Sequence, residues 1–120
     1  MYVPPELRVL ELRPGMAVVE VRGEHDLSTK EEAAALFRRL VAENELVVID
    51  LTETQFIDSS FLATLINART TADERGHSVV LQVGPDSVVR RTLAMTKMLN
   101  LFEHVSTREE AVAWGAGRPR

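Results

Sequence analysis

The run LVVIDL at residues 46–51 constrains the fold most, because it is almost continuously apolar and β-branched. A strand with one wet face alternates polar and apolar residues; one without alternation is covered on both faces, as in a parallel sheet flanked by helices. A second such run, VVLQV at 79–83, makes the same demand. Between them, residues 60–75 carry helical periodicity closed by Gly76.

The rest of the chain alternates in the same way. Leu7–Leu12 and Met16–Val21 alternate polar and apolar residues around Pro14-Gly15, a pair suited to a tight reversal, and predict an antiparallel hairpin. Ser28 and Thr29 each stand three residues before a glutamate, Glu31 and Glu32, so a capping box is available in either register. The helix that follows has Ala33, Leu36, Phe37, Leu40 and Val41 on one stripe. Gly84-Pro85-Asp86 predicts a third helix, with Pro85 at its first position, running to about Thr96. A short strand over 102–105 is followed by Ser106 and Glu109, a capping box for a fourth helix ending near Trp114. The order β-β-α-β-α-β-α-β-α implies an α/β fold: a mostly parallel mixed sheet of about five strands, one an antiparallel edge strand, with four helices. With 120 residues the expectation is one domain over 1–114 and a flexible tail over 115–120.

Several function classes are disfavoured. A net charge of −4 lacks the basic surplus that direct nucleic-acid binding requires. No run approaches the length of a membrane span and no signal peptide is evident, so a cytoplasmic protein without direct membrane contact is expected. Cysteine is absent, and His25, His77 and His104 are scattered, so neither a metal nor a cofactor is expected and the histidines read as surface or turn residues. A Ser60–His25–Asp26 triad lacks the nucleophile elbow, and Asp50 lacks the acidic pair and lysine of a phosphoacceptor site. Arg90 and Arg91 read as a solvated face. A protein without catalytic activity is the expectation.

Residues 56–62 read FIDSSFL, at the strand-to-helix junction where exposed loops and helix amino ends gather in parallel sheets. If Ser59 caps the helix, Ser60 has a spare hydroxyl pointing into solvent; if Asp58 caps, Ser59 is freed as well. Phe61 reads either as core filling with Leu65 and Ala68 or as a partly exposed anchor for a partner.

On VRGEHDLSTKEE at 21–32, VVIDLTETQFIDSSFL at 47–62 and VGPDSVVRRTLAMTKMLNLFEHVSTREEAV at 83–112, the chain resembles the STAS domain family, in particular its single-domain anti-sigma factor antagonists. The resemblance implies a STAS-like fold and a phosphorylation switch at Ser60, with Ser59 as the alternative. It implies as partners an anti-sigma factor that is a serine kinase and a serine phosphatase, with sigma factor released while Ser60 is unmodified. Glu24, Asp26, Asp58, Ser59 and Phe61 are the expected partner-binding residues. Two positions depart from the family pattern: Phe61 and Lys97 stand where glycines are common, and Lys97 implies a different end to the third helix. The alternatives are a scaffold or accessory subunit of a multiprotein signalling assembly or membrane transporter, and a small-ligand domain.

Overall fold

The computed structural model describes residues 2–117. Strand β1 (Glu6–Arg13) turns through Pro14-Gly15 into β2 (Met16–His25), antiparallel, with Gly15 at φ 84° as a tight reversal requires. The remaining strands are β3 (Leu46–Asp50), β4 (Thr54–Ile57), β5 (Ser78–Gln82) and β6 (Glu103–Val105). The order across the sheet is β1-β2-β3-β5-β6, and every pairing after the hairpin is parallel. All five residues of β3 are buried, as its unbroken apolar run demands.

Strand β4 is an addition to the expected set. It pairs in parallel with the far end of β2, beyond Gly23, and the Thr54 hydroxyl donates to the Val21 carbonyl at 2.7 Å. Four residues of mixed polarity give too short a signal to separate a strand from a loop.

Helices α1 (Lys30–Glu43) and α2 (Ser59–Glu74) cover one face, where Val19, Val21, Val47, Ile49 and Leu81 meet Phe37, Leu40, Phe61 and Leu65. Helix α3 (Val88–Met95) adds Val89 and Leu93 to that core. Helix α4 (Arg108–Ala116) covers the other face, packing Ala111 and Trp114 on Met16, Val18, Val48 and Val80. Helix α2 closes with Gly76 at φ 72°, its amide on the Asp73 carbonyl and that of His77 on Ala72, the paired bonds of a Schellman ending.

The helix starts differ in detail from their expected positions. No capping box opens α1: Asp26 instead caps a 3-10 turn over Leu27–Thr29, accepting from the Ser28 amide and hydroxyl, and Thr29 makes no capping bond. Helix α3 starts at Val88 rather than at Pro85, because the Ser87 hydroxyl accepts the Arg90 amide. The capping box of α4 forms one residue later than expected, with Thr107 accepting from the Glu110 amide and the Glu110 carboxylate reaching back to Thr107 and the Ser106 amide. That helix runs on to Ala116, two residues beyond Trp114; residues 118–120 of the expected tail lie outside the described residues. Lys97 does not change how α3 ends: it adopts φ 63°, the left-handed conformation a glycine would take there.

Candidate functional site

The site forms where β2 and β4 stop side by side. His25 pairs with Ile57, so the next residues, Asp26 and Asp58, leave the sheet together, and the Asp58 amide donates to the His25 carbonyl at 3.3 Å. Asp58 is the N-cap of α2: its Oδ1 accepts the Phe61 amide at 3.0 Å. The same oxygen accepts the Ser60 hydroxyl at 2.6 Å.

This settles the alternative left open by the sequence. Ser59 is not the cap; it is exposed at the first helical position, whereas Ser60 is half-buried one residue further in. The Ser60 hydroxyl does not point freely into solvent, because its proton is drawn to the neighbouring carboxylate, leaving the oxygen's lone pairs for an incoming group.

Both carboxylates are held below the usual aspartate range. For Asp58 the Ser60 hydroxyl is the main cause; partial desolvation opposes it, and backbone amides, Phe61's first, add to it. For Asp26 the Ser28 hydroxyl and amide dominate, while the nearby negative charge of Asp58 works in the opposite direction. The two therefore form an anionic rim, with half-buried Glu24 on β2 beside them. Exposed Leu27 and Phe56 add apolar surface on the adjoining turn and strand.

Two expected placements are corrected. Phe61 is fully buried and cannot be an anchor for a partner; it packs edge-on against Phe37 with ring centroids 6.1 Å apart, as helical spacing with Leu65 and Ala68 requires. His25 is not a surface residue: it is 1% exposed, with Nε2 on the Arg22 carbonyl at 2.8 Å and Nδ1 against the Thr29 hydroxyl at 3.1 Å. Both ring nitrogens are thus engaged away from Ser60, and the triad drawn from the sequence does not assemble. His77 and His104 are half-buried, their Nδ1 atoms on the carbonyls of Val41 and Phe102. Among the described residues no group of three His, Cys, Asp or Glu side chains is placed to hold a metal.

Asp50 has a structural partner that its position at a strand end did not reveal. Arg108, at the first position of α4, reaches Asp50 Oδ2 at 2.7 Å, Glu20 at 3.4 Å and Gln82 Oε1 at 3.1 Å. The signal that could have found it is a basic residue at a helix start, where the dipole disfavours it and an acidic partner is needed.

The STAS domain family matches residues 8–111. The chain belongs to the STAS domain family. This STAS chain is 27% identical to an anti-sigma factor antagonist from Mycobacterium paratuberculosis, with a TM-score of 0.77 over 94% of this chain and 97% of that one. It shares its fold with SpoIIAA in its unphosphorylated form, at 16% identity and TM-score 0.74 over 94% and 100% of the two chains. The same holds for the Bacillus cell fate determinant SpoIIAA in its phosphorylated form, at 15% and 0.70 over 90% and 97%. A sulfate transporter family protein from Wolinella succinogenes has the fold too, at 14% and 0.72 over 89% and 88%. Among the described residues no helix is long and apolar enough to cross a membrane.

Proposed function

We propose that this STAS domain is an anti-sigma factor antagonist, a binding module rather than an enzyme, whose partner is an anti-sigma factor with serine kinase activity. The unmodified form docks through Asp26, Asp58, Ser59 and Glu24 around Ser60 and so frees a sigma factor. Phosphorylated at Ser60, it lets go, and a serine phosphatase resets it. In this reading the protein works in the cytoplasm. The observation that carries the reading is the Ser60 hydroxyl at the mouth of α2, bonded to Asp58 Oδ1 at 2.6 Å.

In the transfer, Ser60 Oγ forms a bond to the γ-phosphorus of ATP, the bond from that phosphorus to the ADP oxygen breaks, and the hydroxyl proton leaves to a base. Asp58 already draws that proton, so the oxygen is oriented for attack. The ester adds about 1.5–2 negative charges. The amino end of α2 favours them by only about 0.3–1 kcal/mol, and Asp58 and Asp26 oppose them. The fold tolerates that balance, but a desolvated interface does not: about 4 kcal/mol of uncompensated charge weakens binding roughly a thousandfold.

The test is incubation with candidate anti-sigma kinases and ATP, followed by mass spectrometry of the modified residue. Modification at Ser60 is expected, with Ser59 the exposed alternative; no modification by any such kinase, and no complex with one, overturns the reading. Ser60→Ala should bind constitutively and Ser60→Asp should release at least partly. The shared fold of the Wolinella transporter-family protein supports a second reading, an accessory or scaffold domain. A stable large assembly in native mass spectrometry would favour it.

A further inference from the structure

Beneath the acidic rim lies a histidine whose bonds tie the two halves of the site together. His25 Nε2 faces the Arg22 carbonyl, which can only accept, so Nε2 carries a hydrogen. Nδ1 faces the Thr29 hydroxyl, which also lies 3.2 Å from the Asp26 carbonyl. The ring rests on Phe61, centroids 5.0 Å apart, and the Phe61 amide is held by the Asp58 oxygen that also holds Ser60. One side chain therefore touches the turn that presents Asp26 and the first turn of the helix that presents Ser60.

The Asp26 carbonyl accepts the Thr29 amide at 3.2 Å in either state of the ring. With a neutral ring, the single Thr29 hydroxyl proton serves either Nδ1 or that carbonyl, so the hydroxyl bridges the ring and the turn through only one of its two contacts at a time. With a proton on each ring nitrogen, Nδ1 donates to Thr29 Oγ1, Thr29 donates to the Asp26 carbonyl, and every contact is filled. Charged groups of both signs lie on the elements that meet at the ring. Asp26 and Asp58 stand at the ends of the two paired strands, Glu24 precedes the ring on β2, and Arg22 and Lys30 are the cations on its own strand and at the start of α1.

We propose that His25 is a proton-responsive positioning residue: it fixes the Asp26 turn against the start of α2, and taking up a proton tightens that turn. The proposal rests on the Ser60 reading for its functional meaning, but its test does not.

The experiment is NMR on the isolated protein between pH 5.5 and 8, following the His25 ring and the exchange of the Ser28 and Thr29 amides, in wild type and His25→Gln. Glutamine keeps a donor and an acceptor but cannot gain the charge, so the fold survives and the pH response does not. The ratio of exchange rates, variant over wild type, cancels the base catalysis common to both. It should rise about tenfold from pH 8 to pH 5.5, the advantage of a hydrogen bond from a charged over a neutral group. A flat ratio, or a His25 ring that does not titrate in this range, overturns the proposal. If His25→Gln fails to fold, wild type alone decides: the Ser28 and Thr29 amide shifts must follow the His25 ring with a common midpoint, distinct from those of His77 and His104. With a phosphorylating kinase in hand, the Ser60 phosphorylation rate should depend on pH differently in the two proteins; a missing phosphorylation in both would count against the Ser60 reading alone.

Discussion

At Ser60, one hydrogen bond bears on both the proposed phosphoryl transfer and the acid stability. Because Asp58 is more acidic in the folded chain than in the unfolded one, its contribution to stability is complete above about pH 3.9 and is lost as pH falls through the depressed folded-state value. Ser60→Ala removes the main cause of the shift. An NMR titration of the Asp58 carboxyl should show its value moving up toward the ordinary range, and acid unfolding followed by circular dichroism should lose part of its dependence on pH in that window. If the Asp58 value stays where it is, the bond is not the cause. Phe61→Ala tests the neighbouring position: deleting a fully buried ring should cost about 3–5 kcal/mol in urea denaturation. The sequence singled out Ser60 and both aspartates through the family resemblance, since hydroxyl and carboxylate residues at a helix mouth are by themselves most often caps. It could not say which of Asp58 and Ser59 caps, because the two are equally good at that position. Nor could it show His25 to be buried, for a histidine between two acidic residues reads as solvated until its strand is seen to continue beneath a helix.

Among the elements, a glycine and a lysine that share the left-handed region give opposite tests. Gly23 sits at φ 82°, and a Cβ built there would meet the Pro4 carbonyl oxygen at 2.2 Å and that of Val3 at 2.7 Å. Gly23→Ala should therefore cost well over the roughly 1–2 kcal/mol of a left-handed alanine, since backbone must also move. It should loosen β4 first, because the Gly23 amide donates to Glu53 just before that strand; faster hydrogen exchange at Phe56 and Ile57 would check this. Lys97 occupies the left-handed region without a glycine's freedom. Lys97→Gly should gain about 0.5–1 kcal/mol in thermal or urea unfolding, the relief of strain being partly offset by a more flexible unfolded chain. Strands β3 and β5 were legible as nearly unbroken apolar runs, and helices α1 and α2 by helical spacing sustained over 14 and 16 residues. The exact helix starts were not, since several hydroxyl residues compete at each and the winner is set by the approach angle of the preceding chain.

Across the whole molecule, the two faces of the sheet are covered unequally. One lies under three helices; the other lies under the nine residues of α4, of which only Ala111 is classed as buried. Arg108 supplements that thin cover by joining α4 to Asp50, Glu20 and Gln82 on three strands. Arg108→Met should cost about 1–3 kcal/mol, because it leaves the nearly buried Asp50 facing Glu20 without their shared cation. Fluorescence of Trp114, the chain's one tryptophan and a residue of α4, should then change at lower denaturant than the far-ultraviolet circular dichroism. Coincident transitions would mean that α4 unfolds only with the rest. The alternation of elements made the layered sheet legible, but a contact spanning 58 residues from Asp50 to Arg108 leaves no periodic trace in a single sequence.

The Asp58 oxygen that receives two donors, one from a backbone amide and one from an alcohol, makes these attachments separable. Chemistry that consumes the alcohol's hydrogen still leaves the peptide group fastened, so the scaffold can carry a covalent mark without rebuilding itself. Information written at this spot would persist for the lifetime of a bond rather than of a conformation.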